Sequence, residues 1–229
     1  NIICKGNIIA IGSKNNTIRI SGDSLLNNKI VFESNLRKSQ LINVVFNSTS
    51  ILLHQNSIII DSCSFRTSQS SKNNAFFISG EKSIITLKNS SFYGNKLREG
   101  IGFNHGDCLI ENNFFDQIPD AIEFSNINGS VILENTILNS PDDGIDLNNC
   151  KNILIENNHI RNSKDKGISI GNKKDQLLEE AIIIKNNLIN GNKIAVSLKG
   201  GSQINLSNCI IESNDLGVAI EKSEKQLSH

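Results

Sequence analysis

The chain has no Met and no Trp, a single Tyr, and only two Pro in 229 residues. Aromatics make up 5% of it, so a core of any size has to be aliphatic. Neither sign of charge is in excess, with 23 Lys+Arg against 23 Asp+Glu, and the basic residues are scattered. That excludes the basic stripe a nucleic-acid partner would call for. No apolar run approaches the ~18 residues that span a bilayer, so direct membrane insertion is not expected. Five cysteines (Cys4, Cys63, Cys108, Cys150, Cys209) form no CxxC pair and are odd in number. They read as mostly buried free thiols rather than a disulfide framework or a metal knuckle. The chain starts at Asn1 without Met or leader, which reads as a mature form or a fragment of a larger multidomain protein.

What the sequence has in quantity is Ile and Asn. Strand formers and turn formers dominate over helix formers, which argues against a helical bundle. A short motif, apolar-x-apolar followed by Asn, recurs along the chain. Its copies include Ile85-Thr86-Leu87-Lys88-Asn89, Cys108-Leu109-Ile110-Glu111-Asn112, Val131-Ile132-Leu133-Glu134-Asn135 and Ile153-Leu154-Ile155-Glu156-Asn157. A large apolar residue follows three positions on, as in Phe65, Phe92, Phe115, Leu138, Ile160, Ile189 and Ile211. The step is about 22–23 residues, a solenoid repeat length, with insertions expected at Thr67–Asn74 and Lys173–Glu180.

A second alternating element follows in each copy. It reads Ala75-Phe76-Phe77-Ile78, Gly100-Ile101-Gly102-Phe103, Ala121-Ile122-Glu123-Phe124, Gly144-Ile145-Asp146-Leu147, Gly167-Ile168-Ser169-Ile170, Ala195-Val196-Ser197-Leu198 and Gly217-Val218-Ala219-Ile220. Period-two alternation places the second and fourth side chains inside and the third outside. A leucine-rich repeat shares part of this frame, with Asn113, Asn158 and Cys209 at its Asn/Cys position. However, it would continue as helix, where this chain continues as a strand. The expected fold is all-β, a parallel β-helix of roughly nine to ten coils. The Asn column at 89, 112, 135, 157, 186 and 208 is expected to form its internal ladder. Residues 1–222 read as one domain, with strands at Asn7–Ile11, Thr17–Ile20, Lys29–Phe32 and Leu41–Phe46 and a turn at Gly22-Asp23. Residues 223–229 read as a frayed tail.

These motifs, best from Ser83 to Lys222, resemble the right-handed parallel β-helix proteins of the pectate-lyase-like superfamily. The strongest run is Asp120-Ala121-Ile122-Glu123-Phe124, then Asp142-Asp143-Gly144-Ile145-Asp146-Leu147, then Asp165-Lys166-Gly167-Ile168. The resemblance implies a secreted or envelope protein that binds an extended polysaccharide, with lyase or hydrolase activity left open. A structural or adhesive module without an active site is the alternative. The polygalacturonase catalytic set is incomplete, because Lys166 stands where a second Asp would be and no His or Arg follows in later coils.

Stacked coils bring equivalent positions together about 4.8 Å apart. One outward column reads Glu99, Asp120, Asp143, Lys166, and another Gly102, Glu123, Asp146, Ser169. Asp116, Asp142 and Asp165 lie in neighbouring turns. Three readings follow for this face. Asp143, Asp120 and Asp146 are catalytic candidates at glycosidase-like spacing. Asp120, Glu123, Asp143 and Asp146 form a candidate Ca²⁺ site. Alternatively, Asp simply caps the bend before each strand. Lys166 is expected to neutralise part of the patch. Arg98 reads as a substrate-facing group or a surface partner of Glu99, and His105 and His159 as turn residues. The scarcity of aromatics argues against a conventional stacked-sugar cleft.

Overall fold

The computed structural model describes residues 1–22, 28–34, 38–67, 76–172 and 181–221. They form a solenoid of parallel strands, with no helix among them. Each coil has three strands rather than the two expected. The first face stacks Asn28–Phe32, Thr49–His54, the leading halves of Phe76–Lys88 and Glu99–Glu111, Ile122–Ser125, Ile145–Asn148, Lys166–Gly171 and Ile194–Lys199. The second carries Ser57–Asp61, the trailing halves of the two long strands, Asn128–Leu133, Lys151–Glu156 and Ile182–Lys185. The third, of nine short strands, holds Ser64–Arg66, Ser91–Tyr93, Phe114–Asp116, Thr136–Leu138 and His159–Arg161 among others. Nine stacked strands make eight coil-to-coil steps, slightly fewer than the nine to ten coils expected.

The interior is one continuous apolar core. Phe46, Phe65, Phe92 and Phe115 stack through it with centroids 4.6–4.7 Å apart, and Ile137, Ile160 and Ile189 continue the column. Most of the few aromatics are therefore spent inside. All five cysteines are free, three buried and two half-buried. Cys63 and Cys150 donate Sγ–H to main-chain carbonyls of the preceding coil, at Leu41 and Phe124.

The Asn richness has a geometric cause, though the internal ladder lies one residue later than expected. Each corner needs a residue in the left-handed region, which Asn tolerates better than most side chains. Asn89, Asn112, Asn157, Asn186 and Asn208 all have φ between 50° and 58°. With the bend made there, the following side chain is the one that turns inward. The buried ladder is therefore Asn113, Asn135, Asn158 and Asn187, each amide oxygen accepting the backbone N–H of the rung below at 2.8–3.0 Å. Ser90 and Cys209 extend it at either end. Asn135 belongs to this ladder because Glu134 takes the left-handed corner of that coil. Consequently Ile137, not Leu138, points inward there. A second buried ladder joins Ser163, Asn192 and Asn214.

Two further expectations shift. Leu41–Phe46 is two strands, Ser39–Ile42 and Val44–Asn47, parted by a corner at Asn43 with φ 52°. The copy aligned with Gly100-Ile101-Gly102-Phe103 is Phe77-Ile78-Ser79-Gly80, two residues after Ala75-Phe76-Phe77-Ile78. Gly80 makes this possible, because a Cβ there would stand 2.3 Å from the Phe103 ring. Asp23, both expected insertions apart from Thr67, and the tail from Lys222 lie outside the described residues.

Candidate functional site

The site is built on the first face by the strict in-out alternation of its strands. Ile101, Ile122 and Ile145 point into the core, which forces Gly102, Glu123 and Asp146 to point out in register. The residue before each small Gly or Ala also points out. That small residue is required by packing: a Cβ on Gly100 would meet the Ala121 carbonyl at 2.1 Å. The expected columns are therefore real, and Glu99, Asp120, Glu123, Asp142, Asp143 and Asp146 share one surface.

Two carboxylate groups form on it. Glu99, Asp120 and Glu123 bring oxygens within 4.8 Å of one another, as do Asp120, Asp142 and Asp143. Asp120 belongs to both, and sits in a left-handed conformation at φ 39°. Asp120 Oδ1 accepts the Asp143 N–H at 3.1 Å, and Asp143 Oδ1 accepts the Lys166 N–H at 2.8 Å. The bend-capping role considered for these residues is thus present, and it holds both carboxylates in place.

Burial sets the protonation. It pushes Asp120 up to about 8, helped by the charges of Asp142 and Asp143. Burial likewise raises Glu99 to about 7, with the Glu123 charge and a hydrogen bond to Glu123 adding to it. Asp143 reaches only about 6, because the Lys166 N–H and ammonium oppose the effect of burial. Lys166 is nearly buried, 3.6 Å from Asp143 and hydrogen-bonded to Asp165. Burial would raise Asp165, but the hydrogen bonds from Lys166 and Lys193 bring it below the usual range.

Other residues are placed differently from expectation. Arg98 is fully buried, its guanidinium 5.2 Å from the centroid of the Phe77 ring, so it faces the core and not a substrate. Asp116 ends a strand of the third face and accepts the Asn139 amide, away from the carboxylates. His105, by contrast, is where it was expected, an exposed corner residue with φ 52°. His159 begins a strand and is half-buried rather than a solvated turn residue.

Sequence reasoning missed the apolar part of the site. A hollow of about 260 Å³ adjoins Glu123, lined by Leu52, Phe76, Ser79, Asn104 and Ser125. The two-residue register shift puts Phe76 in the outward column with Glu99. Its ring fills the space above Gly102, where a Cβ would stand 2.3 Å away. The available signal was Gly102 itself, the one outward position between Leu52 and Ala219 that carries no side chain.

Among solved structures, a double mutant of the periplasmic alginate epimerase AlgG is similar, with TM-score 0.54 and 12% identity over 96% of this chain and 70% of that one. Tailspike protein 3 of bacteriophage CBA120 follows, at TM-score 0.47 and 12% identity over 97% of this chain and 52% of that one. A search among curated proteins finds no match. The family described as "right handed beta helix region" matches residues 31–178 and, overlapping, 74–228. Together with the three stacked parallel faces, this match shows that the chain belongs to the right-handed β-helix family.

Proposed function

We propose that the chain binds an extended polysaccharide along the acidic outer face of its first sheet, as a secreted or envelope-associated protein. The observation that carries this reading is the juxtaposition of the Phe76 hollow with the Glu99–Asp120–Glu123 carboxylates on one flat, regular surface. An apolar ring platform beside convergent polar groups is the usual composition of a sugar subsite. The fold is also one that an alginate epimerase uses, which supports a polymeric substrate in general without naming one.

The same face has the groups for bond cleavage. Glu99 and Asp120, held protonated near neutrality, are suited to donate a proton to a leaving oxygen. Asp143, whose carboxylate comes within 4.8 Å of Asp120, supplies the second group one coil on at about the spacing that retaining hydrolases use, with Asp146 in the next outward column. A divalent cation is the second reading, favoured by the two overlapping carboxylate groups. Asp120 would hold Ca²⁺ with Glu99 and Glu123 on one side or with Asp142 and Asp143 on the other, turn carbonyls completing the shell, and Asp146 of the expected set stands outside both groups.

Calorimetric titration with a panel of neutral and acidic oligosaccharides, with and without Ca²⁺, tests both readings. Saturable heat that Asp143→Asn and Glu123→Gln diminish is expected. Absence of heat with every glycan and with Ca²⁺ would instead leave a structural or adhesive module. Release of reducing ends or of an unsaturated sugar from any bound glycan separates hydrolase and lyase activity from binding alone.

A further inference from the structure

We propose that the glycan this face takes is a polymer of amino sugars, with one ring seated in the hollow over Phe76 and its ammonium groups against Glu123 and Asp146. The proposal rests on the glycan-binding reading above and adds the substrate class.

The hollow comes first. Its volume of about 260 Å³ falls just below the ~300 Å³ at which drug-sized sites begin, so it suits a single ring. Its floor is the Phe76 ring lying over Gly102, and an aromatic face receives the apolar C–H face of a hexose. Leu52 closes one side, while Ser79, Asn104 and Ser125 supply hydroxyls and an amide for ring oxygens. The long axis of a bound polymer would cross the coils, whose ~4.8 Å step presents a fresh outward position with each rung.

Charge then selects among glycans. The outward positions of the first face from Thr49 to Asn148 carry Glu81, Glu99, Glu123 and Asp146, while the two lysines of the long strand Phe76–Lys88 come at the corner that ends this face (Lys82) and on the next face, paired with Glu111 (Lys88). The cation next along the column, Lys166, is engaged by Asp143 and Asp165, and Arg98 points into the core. A polyuronate would bring like charge to this surface, and a neutral glycan would gain only from the hollow. A glycan bearing ammonium groups gains from both. A cationic peptide fits less well, since an extended peptide binds by adding to a free strand edge. The face-one strands between Phe76 and Lys199 are hydrogen-bonded to a neighbour on each side.

The test is calorimetry at pH 6, where glucosamine amines are protonated, with four probes. These are a β-1,4-linked glucosamine hexamer, its fully N-acetylated counterpart, a galacturonate hexamer and hexalysine. The glucosamine hexamer should bind at least about tenfold more tightly than the acetylated one. That preference should shrink at 0.5 M NaCl, where charges on the surface are screened. Glu123→Gln should cut the preference to under about threefold, and Phe76→Ala should weaken both hexasaccharides alike. Equal or tighter binding of the acetylated or galacturonate hexamer overturns the amino-sugar assignment and leaves glycan binding standing. Hexalysine binding as tightly as the glucosamine hexamer overturns it too, as mere charge attraction. If no saccharide binds, the glycan-binding reading itself falls. Both substitutions are at outward positions, and unchanged thermal unfolding of each variant verifies that a lost heat is a lost site.

Discussion

The Lys166 backbone N–H donates to Asp143 Oδ1 at 2.8 Å, and the Lys166 ammonium stands 3.6 Å from the same oxygen. One coil below, the equivalent oxygen of Asp120 receives the N–H of Asp143 at 3.1 Å and a carboxylate in place of the ammonium. The two aspartates are thus in the same column, with the same backbone hydrogen bond. Burial raises both, but Asp143 stops at about 6 because the Lys166 N–H and ammonium oppose it, whereas Asp120 reaches about 8 because the charges of Asp142 and Asp143 add to it.

Replacing Lys166 with Met keeps the buried stem and removes the charge. Asp143 should then titrate well above 6, closer to Asp120. A carboxyl whose folded pKa exceeds its unfolded one stabilises the fold below the unfolded value and loses that contribution as pH rises through the folded one. The variant should therefore lose about 1–2 kcal/mol more than the parent between pH 5 and pH 8. Urea unfolding at the two pH values measures it, and equal losses in both proteins would show that Lys166 does not set the Asp143 protonation.

The parent should show the same sign more broadly. Glu99, Asp120 and Asp143 are all raised, so the folded chain holds more protons than the unfolded one from about pH 4 to about pH 8. Stability should fall across that window. Asp120→Asn retains an oxygen to accept the Asp143 N–H and cannot ionise, so it should flatten the decline. At pH 8 it should be more stable than the parent by about 1–3 kcal/mol. A melting temperature that declines with pH as steeply in the variant as in the parent would contradict this.

The two Asn columns differ in function and should differ in cost. Asn158 Oδ1 serves the N–H and the amide of Asn135, and its own amide serves the carbonyls of Ile132 and Glu156. Asn158→Ala takes a bond from each of these groups and leaves the buried Asn135 N–H with none, and should cost about 2–4 kcal/mol, at 1–3 kcal/mol per orphaned group. Asn157→Ala, next to it, removes only a left-handed residue and should cost about 1–2 kcal/mol, while Asn157→Gly should be close to neutral. Denaturant midpoints of the three variants decide between this register and the one an alignment of the Asn-rich motif suggests.

Gly102→Ala probes the hollow. A Cβ at that position meets Phe76 Cε1 at 2.3 Å, so the ring has to leave the surface of the strand. Because Phe76 is on the outside, stability should change by less than about 1 kcal/mol, the range of ordinary surface substitutions. Affinity for any glycan that uses the platform should drop by about tenfold or more. Unchanged affinity in Gly102→Ala would remove Phe76 from the site.

Much of the fold could be read from the chain. The period of 22–23 residues and the alternation of Ile122-Glu123-Phe124 and Ile145-Asp146-Leu147 specify parallel coils with an acidic outer face. Only one side of such a strand can face an apolar core. The third strand of each coil was harder to see, since three residues such as Ser64–Arg66 carry too little alternation to register. Arg98 was misjudged because a charged residue next to Glu99 resembles a surface pair, whereas the corner turns it inward.

By itself, then, the sequence determined the parallel stacking, the apolar interior and the Glu99–Asp120–Asp143–Lys166 column, because a repeat of constant length leaves equivalent residues no other place to go. Tertiary structure alone decided two things. It set the register at the corners, where one left-handed residue moves the inward position from Asn157 to Asn158. It also set the placement of Phe76, which depends on Gly80 yielding space to Phe103 one coil away. Both depend on which atoms can fit between neighbouring coils, and that is a property of packing which no single repeat contains.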